Sequence, residues 1–347
     1  MSEAPLIQSA TRASRIGAAL GGCALAALAA APAFSDSASL NLLTQMFAYL
    51  ALATLWNLLA GFSGLVSVGQ HAWVGLGGYC LFGLTMFAGA PPLIAIPLAG
   101  ILAGLVALPV AGLLFRLRGS YFAIGSWVVA EVMRLLCAQV ASLGGGSGAS
   151  LPTGIVLGIA NGRSARENAI YWTSLALVSL IVAAAYALLR SRWGLALRAI
   201  HSNEAAAASS GVEVTKTRLL VYVLAAAGAS MIGALVFLQK LRISPDAAFS
   251  VNDWTAFVIF ITVIGGVGRM EGPFIGVLIF FALRQTLADF GAIYLMMLGL
   301  VAIVVMLKAP QGVWGLIAER WGIEILPLQR RVFHDKTVSN AKQEIQP

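Results

Sequence analysis

Ten apolar runs, each near the length needed to cross a lipid bilayer, fill this chain almost from end to end. About 20 mostly apolar residues cover roughly 30 Å of hydrocarbon, because a helix rises about 1.5 Å per residue. The runs lie at roughly 16–34, 40–60, 72–89, 91–115, 119–143, 169–189, 219–238, 254–268, 272–290 and 292–307. The eighth is short, and almost nothing separates the ninth from the tenth. Inside a bilayer every backbone polar group must be bonded within the protein, so runs of this length predict helices. The expected fold class is an all-α integral membrane protein of about ten transmembrane helices.

The charges support that class and orient it. The 347 residues include 22 Lys and Arg and 14 Asp and Glu, only 10% charged, whereas a soluble domain carries about a quarter. Such scarcity excludes a water-soluble enzyme, a disordered chain and a nucleic-acid binder, so no nucleic-acid partner is expected. An even number of spans puts both termini on one side, and cytoplasmic loops are the ones enriched in Lys and Arg. With both termini cytoplasmic, the inside segments hold sixteen cations, among them Arg116, Arg118, Arg190, Arg192, Arg198, Lys216, Arg218, Arg269 and Lys308. The outside segments hold four, Arg163, Arg166, Lys240 and Arg242, while Arg134 and Arg284 fall inside spans. Arg12 and Arg15 before the first run, with Ala31-Pro32-Ala33 after it, also resemble a signal peptide and its cleavage site. Cleavage leaves nine spans and the same orientation for the rest. Cys23, Cys80 and Cys137 all lie in apolar stretches without CxxC spacing, so neither a disulfide framework nor a metal site is indicated.

Several places break the plain Leu/Ala/Val pattern. The first runs through Gly61, Gly64 and Gly69 to Gly75, Gly77 and Gly78, with Ser63, Ser67, Gln70 and His71 among them. Glycine costs a helix about 1 kcal/mol relative to alanine, and irregular backbone at membrane depth is tolerated only inside protein or beside a watery cavity. The stretch therefore reads as a close helix-packing seam, as the lining of a polar pathway, or as both. The second is Glu131 and Arg134, one helical turn apart in the fifth span. Ionisable groups at that depth face the bundle or a cavity, and the spacing lets the two neutralise each other. Structural neutralisation and pathway lining both stay open. Arg284 and Asp289 lie nearer a span end and read as interfacial or structural.

The third place is the longest cytoplasmic loop, 190–218. Ser202 or Asn203 can cap a helix, Glu204 suits its first turn, an alanine run favours helix, and Gly211 can end it in the left-handed conformation. A helix of about two turns is marginal alone and needs a surface to dock on. A fourth stretch, Gly265, Gly266 and Gly268 followed by Gly272, Pro273 and Gly276, places glycines 268, 272 and 276 four apart. It sets Pro273 in the first turn of the ninth span. Like the first stretch it sits at a cytoplasmic span entrance, which hints at a distant repeat. No GxxxxGK[ST] occurs and no glycine precedes a lysine, so no P-loop holds nucleotide; HExxH and GxSxG are also missing. No catalytic set and no cofactor are expected.

These residues resemble the branched-chain amino acid ABC transporter permeases, the LivH/LivM family, closer to its LivM-like branch. The resemblance is carried by five ordered blocks between about 40 and 316. They are Asn57 to Tyr79, with Gly61-Phe62-Ser63-Gly64 and Ser67-Val68-Gly69-Gln70-His71; Arg118-Gly119-Ser120-Tyr121-Phe122-Ala123-Ile124 with Glu131 and Arg134; Arg192 to Ile200 with Asn203, Glu204, Ala206 and Gly211; Gly265 to Gly276; and Lys308 to Leu316.

The resemblance implies an ABC importer permease fold in the bacterial inner membrane, with no enzymatic activity of its own. Implied partners are a second homologous permease, two cytoplasmic ATP-binding subunits and a periplasmic substrate-binding protein. The chain would then divide into residues 1–39, a tail and first span; 40–316, the permease domain with coupling loop 190–218; and 317–347, a cytoplasmic tail. Within the loop, Arg198, Asn203, Glu204, Ala205, Ala206 and Gly211 would meet the ATPase. Tyr121 joins Ser63, Ser67, Gln70, His71, Glu131 and Arg134 as pathway candidates. One departure concerns the general importer signature. The register that fits Gly211 puts Ala205 where a glutamate is expected, with Glu204 one position early. Other substrates remain open: the urea or short-amide branch of the same family, or a self-contained transporter in which Glu131 or Asp289 carries a proton.

Overall fold

A computed structural model describes residues 6–8, 12–160, 162–287, 293–309, 311–321, 326 and 331–333. Helices occupy all ten apolar runs. They are α1 (Arg12–Ala30), α2 (Ser37–Asn57), α3 (Gln70–Met86), α4 (Pro92–Leu114), α5 (Ser120–Ala138), the short α6 (Thr153–Leu157) and α7 (Arg163–Arg190). Then follow α8 (Arg192–Ser202), α9 (Glu204–Ser209), α10 (Val214–Lys240), α11 (Pro245–Ala248), α12 (Phe257–Gly265), α13 (Gly272–Leu287), α14 (Ile293–Lys308) and α15 (Gly312–Trp321). Four short strands, β1 (Leu6–Gln8), β2 (Ala149–Ser150), β3 (Arg242–Ile243) and β4 (Arg331–Phe333), form two antiparallel pairs. In one of them β1 meets β4, Leu6 opposite Phe333, which brings the two tails together.

Among the described residues, seven helical stretches are long and apolar enough to cross a membrane, including Ser37–Phe62, Val214–Lys240 and Pro245–Gly265. Two of the remaining runs carry shorter helices. The first run lies on α1 and the turn Ala31–Ala33 that follows it, while α13 has 16 residues. The helix of the third run, α3, has 17 residues and starts at Gln70, where the chain re-enters a helix after leaving α2 through a π-helical turn, Leu58–Phe62, and an irregular segment in which Gly64 takes φ +71°. Pro92–Leu114 falls within the run at 91–115, whereas Arg163–Arg190 extends beyond 169–189, chiefly at its N-terminal end.

The core lies where α2, α3, α4, α10 and α12 meet. Its largest fully buried side chains include Leu52, Leu81, Phe82, Leu235, Phe237 and Phe280. Small residues let α3 and α10 approach until backbones touch. A Cβ at Gly77 would overlap the Ser230 carbonyl oxygen, and one at Gly233 would overlap that of Val74. Ser230 also reaches across to donate from its hydroxyl to the Ala99 carbonyl of α4 at 3.0 Å. Among the described residues α14 leaves most of its surface exposed, and two further helices are peripheral. One is α1, exposed from Gly21 to Ala27, its hold on α7 being the Tyr171 hydroxyl donating to the Leu28 carbonyl at 2.6 Å. The other is α5, which buries Phe122, Ser126 and Ala130 and leaves its opposite face open.

Clefts lie at the two ends of α2. At one end Phe62, Arg198, His201, Arg269 and Glu271 line a common cleft of about 580 Å³. At the other, Asn41, Arg163, Arg166, Glu167 and Gln239 line a smaller one of about 310 Å³.

Candidate functional site

Around the break between α2 and α3 the chain satisfies itself with unusual care. Ser63 donates from Oγ to the Leu59 carbonyl at 2.6 Å. Ser67 accepts the Gly69 N–H on its hydroxyl, while its carbonyl accepts the Trp56 indole N–H at 2.8 Å. The Val68 N–H donates to Oγ of Ser126 on α5 at 3.0 Å. Both serines are buried, so the helix break uses them as internal fasteners. Along the irregular segment 63–69, buried and exposed residues alternate from Ser63 to Ser67. Ser63, Leu65, Ser67 and Gly69 turn inward, whereas Gly64 and Val66 are exposed.

The N-terminus of α3 therefore lies deep in the bundle. Gln70 donates from Nε2 to the Leu52 carbonyl in the body of α2. His71 bonds through Nδ1 to the Thr255 hydroxyl at 2.9 Å, and Thr255 lies midway along the Pro245–Gly265 stretch. A second π-helical turn, Asn252–Ala256, carries Thr255, and such turns re-aim side chains locally. Gln70 Oε1 and His71 Nε2 are buried without a hydrogen-bond partner among the described residues. A buried polar atom left so costs about 1–3 kcal/mol, which marks this layer as more than apolar packing.

The ion pair lies on the neighbouring helix. Arg134 donates from Nε to both carboxylate oxygens of Glu131 at 3.0 Å and from Nη2 to Oε1 at 2.6 Å. Its Nη1 donates to Oδ1 of Asp246, at the start of α11, also at 3.0 Å. Asp246 carries no sequence signal beyond being an acid between spans; only the fold brings it to Arg134. Tyr121, two turns or more below on the same helix, is exposed. Of the seven pathway candidates, then, Tyr121, Glu131 and Arg134 reach the open face of α5. Ser63, Ser67, Gln70 and His71 stay inside.

The loop 190–218 holds two helices where the sequence suggests one. Ser191 caps α8 by accepting the Trp193 N–H on its hydroxyl, and Gly194, Leu197 and Ile200 bury one face of it. A Cβ at Gly194 would overlap the Leu189 carbonyl, so α8 folds tightly back on α7. Of the two cap candidates it is Asn203 that caps α9, its Oδ1 accepting the Ala206 N–H at 3.0 Å. Glu204 forms an ion pair with Arg218 at 3.0 Å, tying α9 to the first turns of α10, and Gly211 takes φ +86°. Ala207 is buried, while Glu204, Ala205, Ala206, Ala208 and Ser209 are exposed. Arg198 is half-buried beside the cleft at this end.

The glycine stretches at the two span entrances touch each other. Asn57 accepts the Gly268 N–H on Oδ1 and donates from Nδ2 to the Arg269 carbonyl, each at 2.8 Å. A Cβ on Gly61 would come within 2.5 Å of the Gly268 nitrogen. The expected 268/272/276 ladder is replaced by another seam. Gly268 lies in the turn with φ +78°, and Gly265 packs against Gly272, with Gly276 against the Ile261 carbonyl. Gly266 sits in the same turn, and Pro273 is buried in the first turn of α13. Arg284 places its guanidinium 5.9 Å from the Phe281 ring centre. Asp289, Pro310 and most of the tail past 321 lie outside the described residues.

Comparison with known proteins gives a consistent result. The family profile described as "branched-chain amino acid transport system / permease component" matches residues 38–309. Similar proteins include the high-affinity branched-chain amino acid transport system permease protein LivM of Salmonella typhimurium, 26% identical over 303 residues, 81% of this chain and 71% of that protein. Its Escherichia coli counterpart is 27% identical over 312 residues, 83% and 73%. A probable LivM of Methanocaldococcus jannaschii is 28% identical over 196 residues, 56% of each. No solved structure matches.

Proposed function

Since the chain belongs to the branched-chain amino acid transport permease family, we propose that it is the membrane-spanning subunit of an ATP-driven importer for branched-chain or related neutral amino acids. It is a multi-pass membrane protein, and permeases of this family work without ATPase activity of their own. In our reading both termini and the α8–α9 loop face the cytoplasm of a bacterial inner membrane, where two ATP-binding subunits dock. A periplasmic binding protein delivers substrate to the opposite end, and a second homologous permease completes the pathway. The chain itself makes and breaks no covalent bond; it alternates access.

The observation that carries this reading is the short helix α9, capped by Asn203 and pinned to α10 through Glu204 and Arg218, with its other face exposed. A two-turn helix of alanines has little reason to be held so rigidly unless something docks on it. The proton-carrier alternative gains no support at Glu131, whose carboxylate is taken up by three hydrogen bonds from Arg134, and its other candidate, Asp289, lies outside the described residues. Purification of the tagged chain from its native membrane tests the reading. A second permease and ATP-binding subunits should come with it, and leucine uptake in vesicles should need ATP. A chain that purifies alone and still transports would overturn it.

A further inference from the structure

The open face of α5 combines features that do not suit lipid. Val128, Val132 and Leu135 expose about half their surface along it. Among them Glu131 leaves 44% of its side chain exposed and Arg134 26%. Glu131 lies just past the middle of α5, a helix of membrane-crossing length, and Arg134 one turn from its C-terminal end. A charged group facing lipid costs about 2.5–3.5 kcal/mol at a helix centre and less toward an end, and belongs beside a polar cavity or another protein. Behind the pair, His71 Nε2 and Tyr79 Oη are buried without partners among the described residues. The third member of the network is different in kind. Asp246 belongs to another element, its side chain is 86% exposed, and it touches Arg134 through one nitrogen, Nη1.

From this arrangement we propose that Glu131 and Arg134 form a binding site for the zwitterionic head of an amino acid, with Asp246 occupying the place of the substrate's α-carboxylate when the site is empty. The inference rests on the transport reading above. Guanidinium matches a carboxylate in plane and in donor spacing, so an incoming α-carboxylate replaces Asp246 at Nη1 without changing the bond type. The α-ammonium group, one carbon away, then meets the exposed side of the Glu131 carboxylate. The exchange takes the contact cluster from one excess negative charge to neutrality, because the substrate's ammonium group arrives with its carboxylate. It is cheap at the Asp246 end, because that carboxylate already faces solvent. The apolar side chain of the substrate points along Val128 and Val132.

The test uses the full chain with its partner subunits in nanodiscs, without the substrate-binding protein, and radiolabelled leucine as probe. Unlabelled leucine should displace the label. Isoamylamine, which lacks the carboxylate, and 4-methylpentanoate, which lacks the ammonium group, should each fail to compete at matched concentration. Arg134→Lys and Glu131→Gln should each weaken binding about tenfold or more, the loss of one charge-assisted contact. Asp246→Asn should strengthen it severalfold, because the internal competitor is weakened. A purely structural ion network would show the opposite sign for Asp246→Asn. Absence of saturable binding, equal competition by either single-charge analogue, or unchanged affinity in both pair variants overturns the site. Leucine uptake by the reconstituted wild-type system separates the two levels. If uptake proceeds and these variants match it, only the site is wrong; if the wild type takes up no leucine, the transport reading beneath it fails.

Discussion

Asn57 holds Gly268 from 211 positions away, accepting its N–H at 2.8 Å while donating to the Arg269 carbonyl at the same distance. One amide side chain at the end of α2 thus satisfies both polar directions of the turn that separates α12 from α13. The two glycine-rich entrances are therefore opposite faces of one joint. Gly61 and Gly268 meet there because neither carries a side chain. The same end of the bundle carries α8 and α9, with His201 facing Gly64 and Arg198 sharing a cleft with Arg269. A push on α9 has a short mechanical route to the helix break at 63–69, and from there to α3 and α5.

Asn57→Ala should lower the thermal stability of the purified protein by the equivalent of about 1–3 kcal/mol, since it removes two hydrogen bonds at once, to the part-buried Gly268 N–H and Arg269 carbonyl. Asn57→Asp keeps the acceptor for Gly268 and loses only the donor to Arg269, so it should fall between. Thermal unfolding followed by size-exclusion chromatography in detergent measures both. Wild-type stability in Asn57→Ala would show that the turn is held by something else.

Gly77→Ala and Gly233→Ala should each be destabilising by about 1–3 kcal/mol, because the added methyl meets a carbonyl of the facing helix and only backbone movement can relieve it. Gly83 offers the control within the same helix. Nothing lies within 4 Å of its Cβ position, so Gly83→Ala should be neutral or gain up to about 1 kcal/mol of helix propensity. Equal effects at Gly77 and Gly83 would remove the α3–α10 contact as the cause.

Much of this is legible in sequence because membrane length and cation placement are local signals. The ten runs are helices, and Asn203 with Gly211 bounds α9 as capping chemistry dictates. What cannot be read depends on distance in the chain. Asp246 reaching Arg134, Thr255 reaching His71 and Asn57 reaching Gly268 are each contacts that periodicity cannot encode. α8 escapes the sequence for a different reason. Its buried positions, Gly194, Leu197 and Ile200, have helical spacing, but arginines at 192 and 198 make the segment read as a charged connector. Ser63 and Ser67 look like pathway groups by composition, yet the irregular segment between α2 and α3 turns them inward.

The sidedness can be tested directly. In a chain with Cys23, Cys80 and Cys137 replaced by serine or alanine, single cysteines at exposed Arg163 and exposed Ser209 report the two ends of the bundle. A membrane-impermeant maleimide added to intact spheroplasts should label Arg163→Cys and spare Ser209→Cys, with the pattern reversed in inverted vesicles. The opposite labelling would invert the topology and remove α9 from the side on which ATP is available.

The last prediction concerns transmission through α9. Ala206→Trp adds bulk to its exposed face without entering the bundle, and should abolish uptake while leaving membrane insertion intact. ATP hydrolysis by the assembled complex should then no longer respond to the substrate-loaded receptor. Asn203→Ala removes the cap, worth about 1 kcal/mol to a helix, and α9 is short enough for that to fray it. Uptake should fall severalfold, with Asn203→Asp restoring most of it because aspartate caps as well as asparagine. The pairing matters, since bulk and fraying attack the same surface by unrelated physical means. If Ala206→Trp transports normally, α9 is not the docking helix, whatever Asn203→Ala does. If Ala206→Trp fails and Asn203→Ala does not, the helix docks but draws its order from the partner and not from its cap.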